Sequence, residues 1–169
     1  MDGLSSSVPL REGGLLDKSS NRSIEKTPDP VIFSVASKVA DANLSQYDKW
    51  TWKWDKHTED MWVSKRVDIN IKDCSVAQSR VPPSPLPPYP ASPMVDVVLT
   101  DVGKKKLATL STQHTKKRVA LILEDKLLSV PIIIEPMLDG KMSFSVDTLA
   151  EAQKIANRIN ELISEERDR

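Results

Sequence analysis

Apolar residues in this chain recur with a period of two up to about Val98 and with three-and-four spacing only after residue 100, so strands are expected first and helices late. Val31, Phe33 and Val35 on one parity, with Ile32, Ser34 and Ala36 on the other, make a mostly apolar strand that starts after Pro30 and is expected to be buried on both faces. Trp50, Trp52 and Trp54 alternate with Thr51, Lys53 and Asp55, so a strand sends all three indoles out of one face. A polar turn around His57 to Asp60 leads to Met61, Trp62 and Val63, and a hairpin there is expected to set Trp62 opposite the first three. Val67, Ile69 and Ile71 alternate with Asp68, Asn70 and Lys72, which predicts a half-buried strand from Arg66 to Val76 with a short helix or turn starting at Asp73.

The stretch from Met94 to the C-terminus reads as one α+β unit. Val95, Val97 and Leu99 form an alternating strand, and Thr100 or Asp101 caps a helix with Val102, Leu107 and Leu110 as its apolar stripe. Arg118–Leu123 and Leu127–Ile134 are strand-like runs separated by Glu124, Asp125 and Lys126, which predicts a hairpin. Asp139-Gly140 marks a turn into Met142, Phe144 and Val146. The last helix opens on a capping box, Thr148 to Glu151, and carries Leu149, Ala152, Ile155, Ala156, Ile159, Leu162 and Ile163 on one stripe that should pack on the sheet.

The flanks differ. Residues 1–30, with Ser5 to Ser7, Gly13, Gly14, Pro28 and Pro30, have the composition of a disordered tail. Residues 31–81 form a β-rich segment leading into the compact unit at 94–169. Residues 82–93 are crowded with Pro82, Pro83, Pro85, Pro87, Pro88, Pro90 and Pro93, which excludes a helix or interior strand and favours an extended loop. Pro82 with Pro85, or Pro85 with Pro88, has the spacing that SH3-like or WW-like modules read, although a stiff connecting loop explains the same composition.

A 169-residue chain with 39% hydrophobic and 28% charged residues suits one globular core plus flanking segments. Its 24 basic and 24 acidic side chains leave no net field to draw in nucleic acid. The apolar runs are far shorter than the ~20 residues that cross a bilayer, so no membrane insertion is expected, and Met1 to Pro30 shows no export signal. Cys74 is the one cysteine, which excludes an internal disulfide, and with His57 and His114 it makes no zinc set. No Ser/His/Asp or Cys/His arrangement stands in the chain, Gly103-Lys104 lacks the glycines of a phosphate loop, and neither catalytic residues nor a cofactor is expected. Lys104, Lys105, Lys106, Lys116, Lys117 and Arg118 cluster at the ends of the first helix, where a solvated face is the simpler reading than a phosphate or acidic partner. The candidate binding residues are Trp50, Trp52, Trp54 and Trp62, as a stacking platform for a sugar, a peptide or single-stranded bases, against the simpler reading of a buried sheet face.

Val95-Asp-Val-Val-Leu-Thr-Asp-Val-Gly103, Lys117-Arg-Val-Ala-Leu-Ile-Leu-Glu-Asp-Lys-Leu-Leu-Ser-Val-Pro131, Glu135-Pro136, Asp139-Gly140, Glu151-Ala152 and Ile155-Ala156, in that order and spacing, resemble the head of the first periplasmic domain of SecD, the SecDF P1 head family. Val63 to Ala77 is similar to the segment preceding that head, so the resemblance runs from about Trp62 to Ile159. It implies an α+β fold with a ferredoxin-like sheet, two helices packed on one of its faces and extra strands ahead of it. It also implies a non-catalytic domain outside the membrane, periplasmic or otherwise extracytoplasmic, whose partners are unfolded or extended polypeptide or a translocase component. A carbohydrate- or cell-wall-binding module using the tryptophans is the alternative. Where the family has an Asp-Gly turn this chain has Asp125-Lys126, and where it has a glycine after the third strand this chain runs Ser145-Val146-Asp147. SecD's membrane helices are absent from this sequence, so it is not expected to act as a motor.

Overall fold

Both helices begin where a threonine can replace a missing backbone acceptor. Thr100 Oγ1 accepts the Gly103 N–H at 3.1 Å and starts α1 (Asp101–Gln113), and Thr148 Oγ1 accepts the Glu151 N–H at 3.1 Å and starts α2 (Leu149–Arg167). The Glu151 carboxylate lies 3.9 Å from Lys126 Nζ. The computed structural model describes residues 31–37, 44–54, 56–84, 86 and 90–169; the tail expected at 1–30, and Pro85, Pro87 and Pro88, lie outside them.

The described residues also form eight strands: β1 (Val31–Ser37), β2 (Tyr47–Trp54), β3 (His57–Ser64), β4 (Cys74–Arg80), β5 (Met94–Leu99), β6 (Arg118–Leu123), β7 (Lys126–Ser129) and β8 (Lys141–Ser145). They pair antiparallel in two sheets, one ordered β2-β3-β1-β6-β7 and the other β4-β5-β8. The ferredoxin-like sheet expected for residues 94–169 therefore does not form, because β5 and β8 stand in one sheet and β6 and β7 in the other. The cause is long-range pairing: β5 is flanked by β4 and β8, while β1 takes β6 from Val31↔Leu123 to Ala36↔Arg118.

β6 explains its own continuous apolar run. Val119, Leu121 and Leu123 enter the main core, whereas Ala120 and Ile122 enter a second cluster on the opposite face. The main core joins one face of the three-stranded sheet (Ala77, Val95, Val97, Met142, Phe144) to Leu107 and Leu110 of α1 and to the α2 stripe. Ile155, Ile159, Leu162 and Ile163 of that stripe are buried, each worth ~1.5–3 kcal/mol. Val102 and Leu149, expected on the stripes, are 60% and 41% exposed.

Two local expectations are corrected. The strand expected from Arg66 to Val76 is broken by a 3-10 turn at Ile71–Asp73, and β4 starts only at Cys74. The Asn70 side chain accepts the Lys72 N–H and the Asp73 carboxylate accepts the Asn70 N–H at 3.0 Å, a capping box that outcompetes the ladder. In the β6–β7 hairpin the two turn residues are Glu124 and Asp125, at φ 47° and 62°, the left-handed pair that a two-residue turn requires.

Candidate binding surface

Alternation in β2 and β3 decides where the tryptophans go. Trp50 is registered with Met61 and Trp52 with Glu59, so these four share a face. That face carries the second apolar cluster, in which Met61, Val63, Ala120, Ile122 and Val130 are buried and half-exposed Trp50, Trp52 and Leu127 pack against them. β2 also approaches β7, at the other edge of the same sheet, to within 8 Å from Cα to Cα, so the five-stranded sheet curls and the cluster lines its hollow. Arg118 and Glu59, an ion pair at 3.3 Å, stand on the same side. Trp54 is registered with His57 at the end of the hairpin, and its side chain is outside the described set.

Trp62 does not join them. It is registered with Lys49 and Ser37, on the face that carries Val119, Leu121 and Leu123, because an odd-numbered partner in β2 sets it one residue out of phase with Trp50. Lys49, Thr51 and Lys53 on that side are exposed, and Asp60 accepts hydrogen bonds from Lys49 and Thr51 that hold its carboxyl below the usual range. The four tryptophans are thus not one platform: Trp50 and Trp52 line the hollow and Trp62 is behind it.

Clefts flank α1 and α2 among the described residues, and two of them carry several charged side chains. One of about 510 Å³ lies between the β6–β7 hairpin and α2, floored by Leu123, Leu128 and Ile155 and edged by Lys126, Lys154 and Arg158. Arg158 is held by Glu124 at 2.5 Å and by Glu161 and Glu165, so its charge is matched. The other, about 280 Å³, lies between α1 and the segment after β3, lined by Arg66, Asp68, Lys105, Lys106 and His114. Burial pushes His114 below its ordinary value, with Lys117 adding to the effect, and burial raises the Asp68 carboxyl. The lysine cluster is divided, since Lys106 reaches Asp73, 3% exposed, at 2.9 Å.

The titratable groups elsewhere serve structure. Burial, and after it the Asp73 charge, pushes the Cys74 thiol up to about 12, which keeps it a thiol. Burial works against the Asp96 carboxylate, but hydrogen bonds from Arg80 and Ser143 outweigh it and leave that carboxyl below the usual range. Among the described residues no three His, Cys, Asp or Glu side chains are grouped to hold a metal ion, and no helix is long and apolar enough to cross a membrane.

Sequence reasoning missed Asn160. Its side chain accepts the Ala77 N–H and donates to the Ala77 carbonyl, both at 2.8 Å, which closes the outer edge of β4. The one signal was an amide, a weak helix former, standing beside the apolar stripe between Ile159 and Glu161.

The family described as the SecDF P1 head subdomain matches residues 49–161. This chain belongs to that family. The match begins at Lys49, so the P1 head takes in nearly all of the tryptophan hairpin as well as α1 and most of α2, while β1 lies ahead of it. Two solved structures share the fold. A crystal structure of SecDF in a super-membrane-facing form superposes with a TM-score of 0.57 at 15% identity, over 76% of this chain and 18% of that one. A second, described as a membrane component SecDF that enhances protein export, superposes with a TM-score of 0.56 at 14% identity, over 87% of this chain and 70% of that one. The chain thus spans about a fifth of the length of the first relative. No curated protein matches it.

Proposed function

We propose that this chain acts in protein translocation as a non-catalytic accessory domain outside the membrane, contacting polypeptide in an extended state. The observation that carries the reading is the family match over residues 49–161, which takes in the three-stranded sheet, α1, most of α2 and the curled sheet apart from β1 and the first two residues of β2. The chemistry agrees with it. The described residues bring together hydrogen-bonding strand edges, a half-exposed apolar hollow and mixed charges, which suit sequence-tolerant contact better than bond making. The carbohydrate alternative draws on the same tryptophans, but Trp50 and Trp52 spend part of their surface on the second apolar cluster, and Trp62 is on the other face.

Binding of this kind is weak, because backbone bonds and a shallow apolar surface barely exceed the entropy lost on association. Titrating fluorescently labelled unfolded proteins against the full chain, with the same proteins folded as the control, tests it. Preference for the unfolded form supports the reading. Equal affinity for both forms, or no binding up to millimolar concentration, sinks it.

A further inference from the structure

The three-stranded sheet has two edges, and they are treated oppositely. At β4 the outward-facing Ala77 N–H and carbonyl are both taken by the Asn160 side chain at 2.8 Å, and the Ser75 carbonyl accepts from Arg167 at 3.3 Å. An edge strand sealed in this way is withdrawn from pairing with another chain.

At β8 the hydrogen-bonding phase can be read from the bonds that bracket the ladder. The Leu99 N–H donates to the Gly140 carbonyl and the Val146 N–H to the Pro93 carbonyl, each at 2.9 Å. The register pairs Val97 with Met142 and Val95 with Phe144 between those two bonded rungs. Antiparallel rungs alternate, so Met142 and Phe144 turn their backbone groups toward β5, and Lys141, Ser143 and Ser145 turn theirs away from the sheet. The Lys141 N–H is met by Asp139 Oδ1 at 3.1 Å. The N–H groups of Ser143 and Ser145 and the three outward carbonyls have no protein partner among the described residues. All three side chains are exposed, while Met142 and Phe144 are buried, so among the described residues none covers the solvent face of this strand.

We propose that the β8 edge, Lys141–Ser145, is the docking site for the extended polypeptide, which adds antiparallel or parallel as a fourth strand beside it. The occupant follows from the chemistry. Donors and acceptors alternating along a strand of roughly 16 Å are complementary to another extended backbone and to little else. Because the contact is made by main chain, it accepts many sequences. Ser143 Oγ is tied to Asp96 at 2.6 Å, which holds the middle rung in place before a partner arrives. This inference rests on the translocation reading and specifies which surface serves it.

The test uses the full chain and a fluorescein-labelled, alternating Val/Thr peptide with lysines at both ends, alongside the same peptide carrying proline at alternate positions. Binding is followed by anisotropy and site by amide hydrogen exchange. Exchange at Ser143 and Ser145 is expected to slow by roughly tenfold at saturating peptide, with Met142 and Phe144 unchanged, and the proline peptide is expected not to bind. Ser143→Pro removes the central outward donor and is expected to weaken binding by roughly tenfold. Should that variant misfold, the exchange measurement on the unaltered protein still decides. Binding with no slowing at Ser143 and Ser145 overturns the assignment to β8 and leaves the translocation reading intact, with the hollow as its surface. No binding of the peptide or of unfolded proteins overturns both.

Discussion

Gly103, in the first turn of α1, lies against the backbone carbonyl of Asp73. A Cβ there would stand 3.0 Å from both Asp73 Cβ and Leu99 Cβ, and closer still to the Asp73 carbonyl oxygen. The close approach lets that carbonyl accept the Thr100 N–H at 2.8 Å and lets the Asp73 carboxylate take the Asn70 N–H and Lys106. One 3-10 turn is thereby fastened to the start of α1, and the three-stranded sheet leaves from both ends of that junction.

Gly103→Ala is therefore expected to destabilise the protein by about 1–3 kcal/mol, since the atom it meets is backbone and cannot swing away. Urea midpoints compared at constant slope measure it. A loss under 0.5 kcal/mol, the range of a neutral surface change, would show that the turn is free to shift.

Asn160→Ala leaves the Ala77 N–H and carbonyl unmet and opens the β4 edge. The expected cost is ~1–3 kcal/mol, accompanied by new self-association seen in light scattering. A variant as stable and as monomeric as the parent would mean that α2 does not guard that edge.

Met61→Ala removes a side chain only 1% exposed from the middle of the second cluster, so a loss of about 2–5 kcal/mol is expected. Trp62→Phe, on the other face of β3, should cost less than Met61→Ala and leave the emission of Trp50 and Trp52 in place. If the two losses came out reversed, the register of the hairpin would be wrong by one residue.

Cys74 is buried and its thiol is pushed up to about 12, so a disulfide reagent at pH 8 should leave it untouched in the native protein and modify it as the chain unfolds. Prompt modification of native protein contradicts the packing of β4 against α2.

His114 holds a proton less readily than a free histidine. Burial is the main cause, Lys117 and Arg66 add to it, and Asp68 opposes it. Its Nδ1 is buried with no hydrogen-bond partner. Protonation then favours the unfolded chain, so its contribution to stability is whole above pH 6.5 and falls as the pH drops through the lower folded value. Asp68, raised by burial, acts in the opposite sense at lower pH. The melting-temperature advantage of the parent over His114→Gln is expected to shrink as the pH falls below 6.5. An advantage that grows instead would show that the imidazolium is stabilised.

Elements whose cause is local could be read directly. The threonine caps at Thr100 and Thr148, the α2 stripe from Ala152 to Ile163 and the turn at Asp139-Gly140 each depend on residues within four positions of one another. The alternation of Trp50, Trp52 and Trp54 likewise put Trp50 and Trp52 on one face, since pleating makes that a property of the strand alone.

What the chain could not disclose by itself was which strand meets which. Trp62 fell on the other face because its register with Lys49 is decided by the β2–β3 turn, and a slip of one residue reverses every side chain. Residues 71–73 left the ladder because Asn70 and Asp73 satisfied each other's backbone first. The division into two sheets, the curl that gathers Trp50 and Trp52 over Met61, and the unequal edges at β4 and β8 all arise from partners far apart in sequence, Ala77 and Asn160 above all. Periodicity names the face of each strand, and only the packed chain decides its neighbours, because pairing energy depends on burial that no single segment can make alone.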